Sequence, residues 1–255
     1  MMAVALGALF AAAIAMAAYR ARSLSLDGAI AAFAVGTIVF GSAQWSGATI
    51  LLAFFVPSVL LTRVGRERKM RLAGAQEAKA RNAWQVLANG AVAAFCALAA
   101  LRFGAPFHVA FAGAFAAASA DTWGTEIGTL ARGRPVSILT FRPIETGLSG
   151  GVTLQGSAAT IAGAIFVAAV ASLTRFAPLL AVAIGGGAGA LLDSLLGASL
   201  QALRWCPACK CECETSRHRC GSPTTMRRGI GWFQNDAVNF CATLGGALVA
   251  AIVAR

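Results

Sequence analysis

Charge is scarce in this chain: only 12% of its 255 residues are Asp, Glu, Lys or Arg, against 58% hydrophobic residues and a mean hydropathy of +0.72. A soluble domain carries roughly twice that charged fraction to cover its surface, so a single water-soluble core is excluded and a polytopic membrane protein is expected. Lysine is rarer still. Lys69, Lys79 and Lys210 are the only three, and no GxxxxGK(S/T) run occurs, which excludes nucleotide chemistry built on a P-loop. No basic residue precedes the first apolar run, and Arg20 and Arg22 come after it, so that run reads as a retained helix and not as a signal peptide.

What is present is a series of apolar stretches. About 20 apolar residues, each rising about 1.5 Å, cross a hydrocarbon core of roughly 30 Å. Segments near 2–19, 26–43, 46–62, 83–101, 105–122, 151–173, 177–201 and 232–254 qualify. They predict an all-α bundle of about eight transmembrane helices, one domain over 1–255, with a basic loop at 63–81 and a Cys-rich loop at 204–228. Eighteen of the 21 basic residues fall in one set of alternate loops; Arg102, Arg175 and Arg255 make up the other. Lys and Arg collect in cytoplasmic loops, so both termini are expected outside and the basic loops inside, in a cell membrane. The net charge of +11 then reflects topology and attraction to anionic headgroups or a phosphorylated substrate. It is not read as a nucleic-acid patch. The 63–81 loop reads as an amphipathic helix on the cytoplasmic membrane surface.

Polar residues gather at the cytoplasmic ends of several helices. The stretch ASADTWGTEIG, Ala118 to Gly128, ends an apolar run with two carboxylates, Asp121 and Glu126. Five residues turn Glu126 about 140° from Asp121 on an ideal helix, so joint action needs a break near Gly124. Arg142 follows, then a glycine-rich run with Thr146, Gly147, Ser149, Gly150, Gly151, Thr153 and Gly156. Its N–H groups and hydroxyls, at the start of a helix, suit phosphate. Asp193 lies about two turns inside its helix beside Gly186, Gly189 and Gly197; an intramembrane carboxylate is costly and reads as functional. The last helix opens with Asn235, Asp236 and Asn239, and the fourth with Asn82, Gln85 and Asn89 on one face. Asp27 is either a helix-start carboxylate or a ligand contact; the Asn82 stripe serves either interhelical hydrogen bonding or ligand binding. Asp121, Asp193 and Asp236, with Glu126 and Asn235 beside them, are the candidate catalytic groups. The three aspartates supply hard oxygen ligands for Mg²⁺, the ion that phosphoryl transfer requires.

Five of the seven cysteines lie in the 204–228 loop. Cys206, Cys209, His218 and Cys220 have structural-zinc spacing, with Cys211 and Cys213 as spare thiols. A thiol-rich loop or an iron–sulfur site are the alternatives.

The runs ASADTWGTEIG, TFRPIETGLSGGVTLQG (Thr140 to Gly156), GALLDSLLGASLQ (Gly189 to Gln201), HRCG (His218 to Gly221) and GIGWFQNDAVNF (Gly229 to Phe240) resemble an integral membrane family that includes the plant phytyl phosphate kinases. That family is similar in turn to the CTP-dependent polyprenol kinases and CDP-lipid synthases. The resemblance implies Mg²⁺-dependent transfer of a phosphoryl group from a nucleoside triphosphate, CTP favoured, to an isoprenoid monophosphate such as phytyl or geranylgeranyl phosphate. A cytidylyltransferase making a CDP-lipid and a transporter of an anionic solute are the competing readings.

Overall fold

Long runs of Ala, Leu and Val leave the backbone to satisfy its own hydrogen bonds, and each run closes into a helix. A computed structural model describes residues 2–70 and 80–255. The helices are α1 (Met2–Arg20), α2 (Leu26–Arg63), α3 (Arg66–Met70), α4 (Ala83–Phe103), α5 (Ala105–Gly128), α6 (Leu154–Leu173), α7 (Leu179–Ser199) and α8 (Asn235–Val253). Side chains set their starts. Ser25 Oγ accepts from Gly28 N at 3.3 Å to cap α2. Asn82 and Gln85 form a reciprocal capping box on α4, and Thr153 Oγ1 accepts from Gly156 N at 3.0 Å to cap α6.

α2 covers the segments predicted as two spans, and it is broken at Gln44, whose φ of 50° and ψ of −143° are not helical. The chain reverses there. Asp27 Oδ2, at the start of α2, accepts from Ala83 N at 2.9 Å, while Arg63, at its end, donates to Ser23 Oγ at 2.9 Å and to the Ala21 carbonyl. A straight 38-residue helix would separate these ends by roughly 57 Å, so α2 is a hairpin of two arms. With the arms counted separately the bundle has the eight long rods expected. Among the described residues five helices, α2 included, are long and apolar enough by composition to cross a membrane.

α5 occupies the centre. Every residue from Val109 to Ala120 on it is buried, as expected of a helix apolar all round. Its small side chains let neighbours come close: a Cβ on Gly113 would meet Ala250 and Gly246 of α8, and one on Gly186 of α7 would meet Ala116 and Ala164. Large residues such as Phe95, Leu101, Leu173 and Leu180 point outward.

Short strands occupy one end of the bundle. β1 (Val136–Ser137) pairs antiparallel with β2 (Gly151–Val152), which is why α6 starts at Leu154 and not at the expected 151. β3 (Leu203–Cys206), β4 (Cys211–Cys213) and β5 (Thr225–Arg228) form a sheet of order β4-β3-β5. The chain stays non-helical to Gln234, so α8 starts at Asn235, three residues beyond the expected 232. Of the basic loop at 63–81, residues 71–79, including Lys79, lie outside the described residues. The described part is tied to the bundle by Lys69, whose Nζ lies 2.6 Å from Glu126 Oε2.

Candidate functional site

Glycines bring two helix ends together here. A Cβ on Gly156 would lie 3.0 Å from the Gly124 carbonyl oxygen and 3.1 Å from Gly128 Cα, so the C-terminal end of α5 touches the first turn of α6 through backbone alone. α7 packs against both helices, with Gly189 against Ala117 of α5 and Gly186 against Ala164 of α6. The result is a cavity of about 250 Å³. Asp121 and Thr125 of α5, Thr153 and Gly156 of α6, Asp193 and Ser194 of α7, Asn235 of α8 and the 146–152 loop all line it.

Asp121 and Asp193 line the same cavity, close enough for each carboxylate to feel the other's charge, although they are 72 residues apart in sequence. Thr125 Oγ1 donates to Asp121 Oδ1 at 3.4 Å. Asp193 Oδ2 is buried with no hydrogen-bond partner. Two carboxylates at such range repel unless a proton or cation lies between them, and the unpartnered oxygen is a free ligand position. Their hard oxygens fit a divalent cation such as Mg²⁺.

The loop gets its shape from residues with positive φ: Gly147 at 95° and Gly150 at 78°. Gly150 also has the α7 backbone at Ala198 against it, where no Cβ fits, and its carbonyl accepts from Ile138 N at 2.9 Å. Thr146, Gly147, Ser149, Gly150, Gly151 and Thr153 thus curve over the carboxylates at the positive end of α6.

Several predicted residues are not brought here. α5 runs unbroken through Gly124 to Gly128, so Glu126 points to the opposite side. There it pairs with Lys69 and accepts from Thr62 Oγ1 at 2.6 Å. Asp27 accepts from Ala83 N and from Ser25 Oγ at 2.6 Å, tying α2 to α4. Asn82 is spent on its capping box. Asn89 Nδ2 donates to the Gln85 carbonyl at 2.9 Å and lines a separate apolar cavity of about 90 Å³. Arg142 is exposed, and its carbonyl accepts from Ser137 N at 2.9 Å. Asp236 and Asn239 are partly buried on α8 outside the lining; Asp236 is turned about 100° from Asn235, and Asn239 shares the Asn235 face one turn further along the helix.

Two functional candidates carry no local sequence signal. Glu214, inside the cysteine run, reaches the cavity and accepts from Ser149 N at 2.7 Å, Ser149 Oγ at 3.1 Å and Gln201 Nε2 at 2.8 Å. Burial pushes its carboxyl up, and the Ser149 and Gln201 donors oppose that shift. Arg81 donates to Thr62 Oγ1 at 3.3 Å; burial lowers its basicity, while Glu126 and then Asp121 act to hold the proton on.

In the cysteine loop, the ligand atoms of Cys206, Cys209, His218 and Cys220 all lie within 4.8 Å of one another. Donors on Ser222 and His218 pull the Cys220 thiol down to about 5.

A profile of the family described as integral membrane protein DUF92 matches residues 9–247. Protein PGR of Arabidopsis thaliana is 32% identical over 264 residues, covering 91% of this chain and 89% of that protein. An uncharacterized membrane protein of Methanocaldococcus jannaschii is 29% identical, covering 92% and 87%. Protein VTE6, chloroplastic, of Arabidopsis thaliana is 25% identical, covering 90% of this chain and 65% of that longer protein. No solved structure matches.

Proposed function

The chain belongs to the DUF92 integral membrane family, and on that premise we propose that it is a prenyl-phosphate kinase. It transfers a phosphoryl group from a nucleoside triphosphate, CTP favoured, to an isoprenoid monophosphate. The observation that carries this reading is the convergence of Asp121, Asp193 and the 146–153 loop on one cavity, at the end of the bundle where the basic loops meet. That end faces the cytoplasm and its nucleotides. The resemblance to the phytyl phosphate kinases supplies the substrate class.

Asp121 and Asp193 would hold Mg²⁺, with Asn235 beside them, and the ion would supply positive charge against the phosphates. Loop N–H groups from Gly147 to Gly151, the hydroxyls of Thr146, Ser149 and Thr153, and the start of α6 orient the phosphates. The acceptor's own phosphate oxygen attacks the terminal phosphorus, and the bond to the bridging oxygen breaks, releasing the nucleoside diphosphate. No strong base is needed, because that oxygen is already ionised. A volume of about 250 Å³ is below the roughly 300–1,000 Å³ of sites that enclose a whole small molecule. The cavity therefore takes the reacting phosphates and leaves the base and prenyl tail outside.

Purified protein incubated with Mg²⁺, each nucleoside triphosphate and a panel of prenyl phosphates tests this. A lipid diphosphate with a nucleoside diphosphate is expected. Pyrophosphate with a CDP-lipid would replace the kinase with a cytidylyltransferase, and neither product would leave the transporter reading.

A further inference from the structure

The geometry points to a zinc knuckle between α7 and α8 that holds the phosphate-facing loop in place through Glu214. Cys206 Sγ and Cys220 Sγ are 3.6 Å apart, and His218 Nδ1 is 3.2 Å from Cys220 Sγ. A tetrahedral zinc with bonds of about 2.3 Å to sulfur separates its sulfurs by about 3.8 Å, whereas a disulfide draws them to about 2.05 Å. The donors already stand near the corners of a one-ion site, and all seven cysteines are free.

Two turns present them. In the β3–β4 hairpin Lys210 takes a φ of 51° and Cys209 N donates to Cys206 Sγ at 3.4 Å, which fixes that sulfur's position. In the second turn Gly221, at φ 87°, donates to the His218 carbonyl at 2.8 Å. Cys211, unassigned by spacing, lies with Sγ 3.7 Å from His218 Nε2. It holds the imidazole so that Nδ1 faces the cluster, as outer partners of metal-bound histidine do.

β4 links this cluster to the cavity. Cys211 begins the strand, and Glu214 follows its last residue with a carboxylate bonded to Ser149 N and Oγ and to Gln201. Strands of three and four residues, with β5 exposed throughout, bury too little to hold this geometry alone, so bound metal supplies the folding free energy. Losing it releases Glu214 from Ser149 and loosens residues 146–151. That this loop cradles phosphate is the reading above; the metal site and its tie to the loop stand on distances alone.

The test therefore uses substrate-free full-length protein in detergent, with elemental analysis and amide exchange. One zinc per chain is expected, retained in Cys213→Ser, lost in Cys209→Ser, and bound about 10–100-fold more weakly in Cys211→Ala. Stripping zinc with a strong chelator speeds exchange over residues 146–151 at least tenfold, and readdition reverses it. Glu214→Ala keeps the zinc yet exchanges as fast in that loop as stripped wild type. Iron or no metal in the purified protein overturns the site. Zinc whose removal leaves the loop's exchange unchanged overturns the coupling. Neither outcome depends on kinase activity, whose absence alone would bear only on the reading above.

Discussion

Neutralising Glu126 separates a structural carboxylate from a catalytic one. Its Oε2 lies 2.6 Å from Lys69 Nζ, and the two side chains retain 17% and 13% of their exposure. Removing one partner of a fully buried pair costs about 3–5 kcal/mol, and an exposed pair is worth at most about 1 kcal/mol. Lys69 also donates to the Leu61 carbonyl at 2.8 Å, and glutamine keeps an oxygen for Thr62. Glu126→Gln should therefore cost about 2 kcal/mol, a drop of roughly 4–8 °C in Tm for a chain of this size. Turnover of the folded fraction should stay within twofold of wild type. Replacing both partners, as Lys69→Met with Glu126→Leu, should recover part of the stability, because neither charge of the pair is left unpaired, although Arg81 loses the carboxylate that most favours its charged form. The assays are thermal unfolding of detergent-purified protein and phosphoryl transfer below the transition. A tenfold loss of turnover with an unchanged Tm would refute this placement and return Glu126 to the site.

Asp121→Asn should do the reverse: turnover falls about 10²–10³-fold at saturating Mg²⁺, while Tm holds or rises because one of two repelling carboxylates is gone. Near-normal turnover would remove the proposed metal role. Gly150→Ala meets both a positive φ and the Ala198 backbone at 2.7 Å, so it should cost about 2–3 kcal/mol. Gly104→Ala, at φ 74° and ψ −144° with nothing within 4 Å, should cost about 1–3 kcal/mol from conformation alone; a smaller loss at Gly150 than at Gly104 would deny the loop–α7 contact. For orientation, a membrane-impermeant thiol reagent should label Arg175→Cys in intact cells and neither Arg134→Cys nor the native cysteines. Labelling at position 134 would turn the site away from cytoplasmic nucleotide.

Apolar run length, set against a fixed bilayer thickness, was enough to mark the helices, and the one-sided distribution of arginine was enough to mark the end of the bundle where Asp121 and Asp193 lie. Even the two arms of α2 were visible as separate stretches, since a 38-residue apolar run is too long for one span. Periodicity also set the angle between Asp121 and Glu126. It could not say whether the helix would break at Gly124, because glycine serves close packing as readily as a bend. Only the packed structure decided that: Gly124 and Gly156 are used to bring α5 onto α6, the helix continues, and Glu126 turns away to Lys69. The same limit hid Glu214 and Arg81. Local spacing reports neighbours along one element, and these two reach their partners Ser149 and Thr62 across 65 and 19 residues. Such contacts exist only once glycines have let the helix ends meet and the strands have folded the loops back over them.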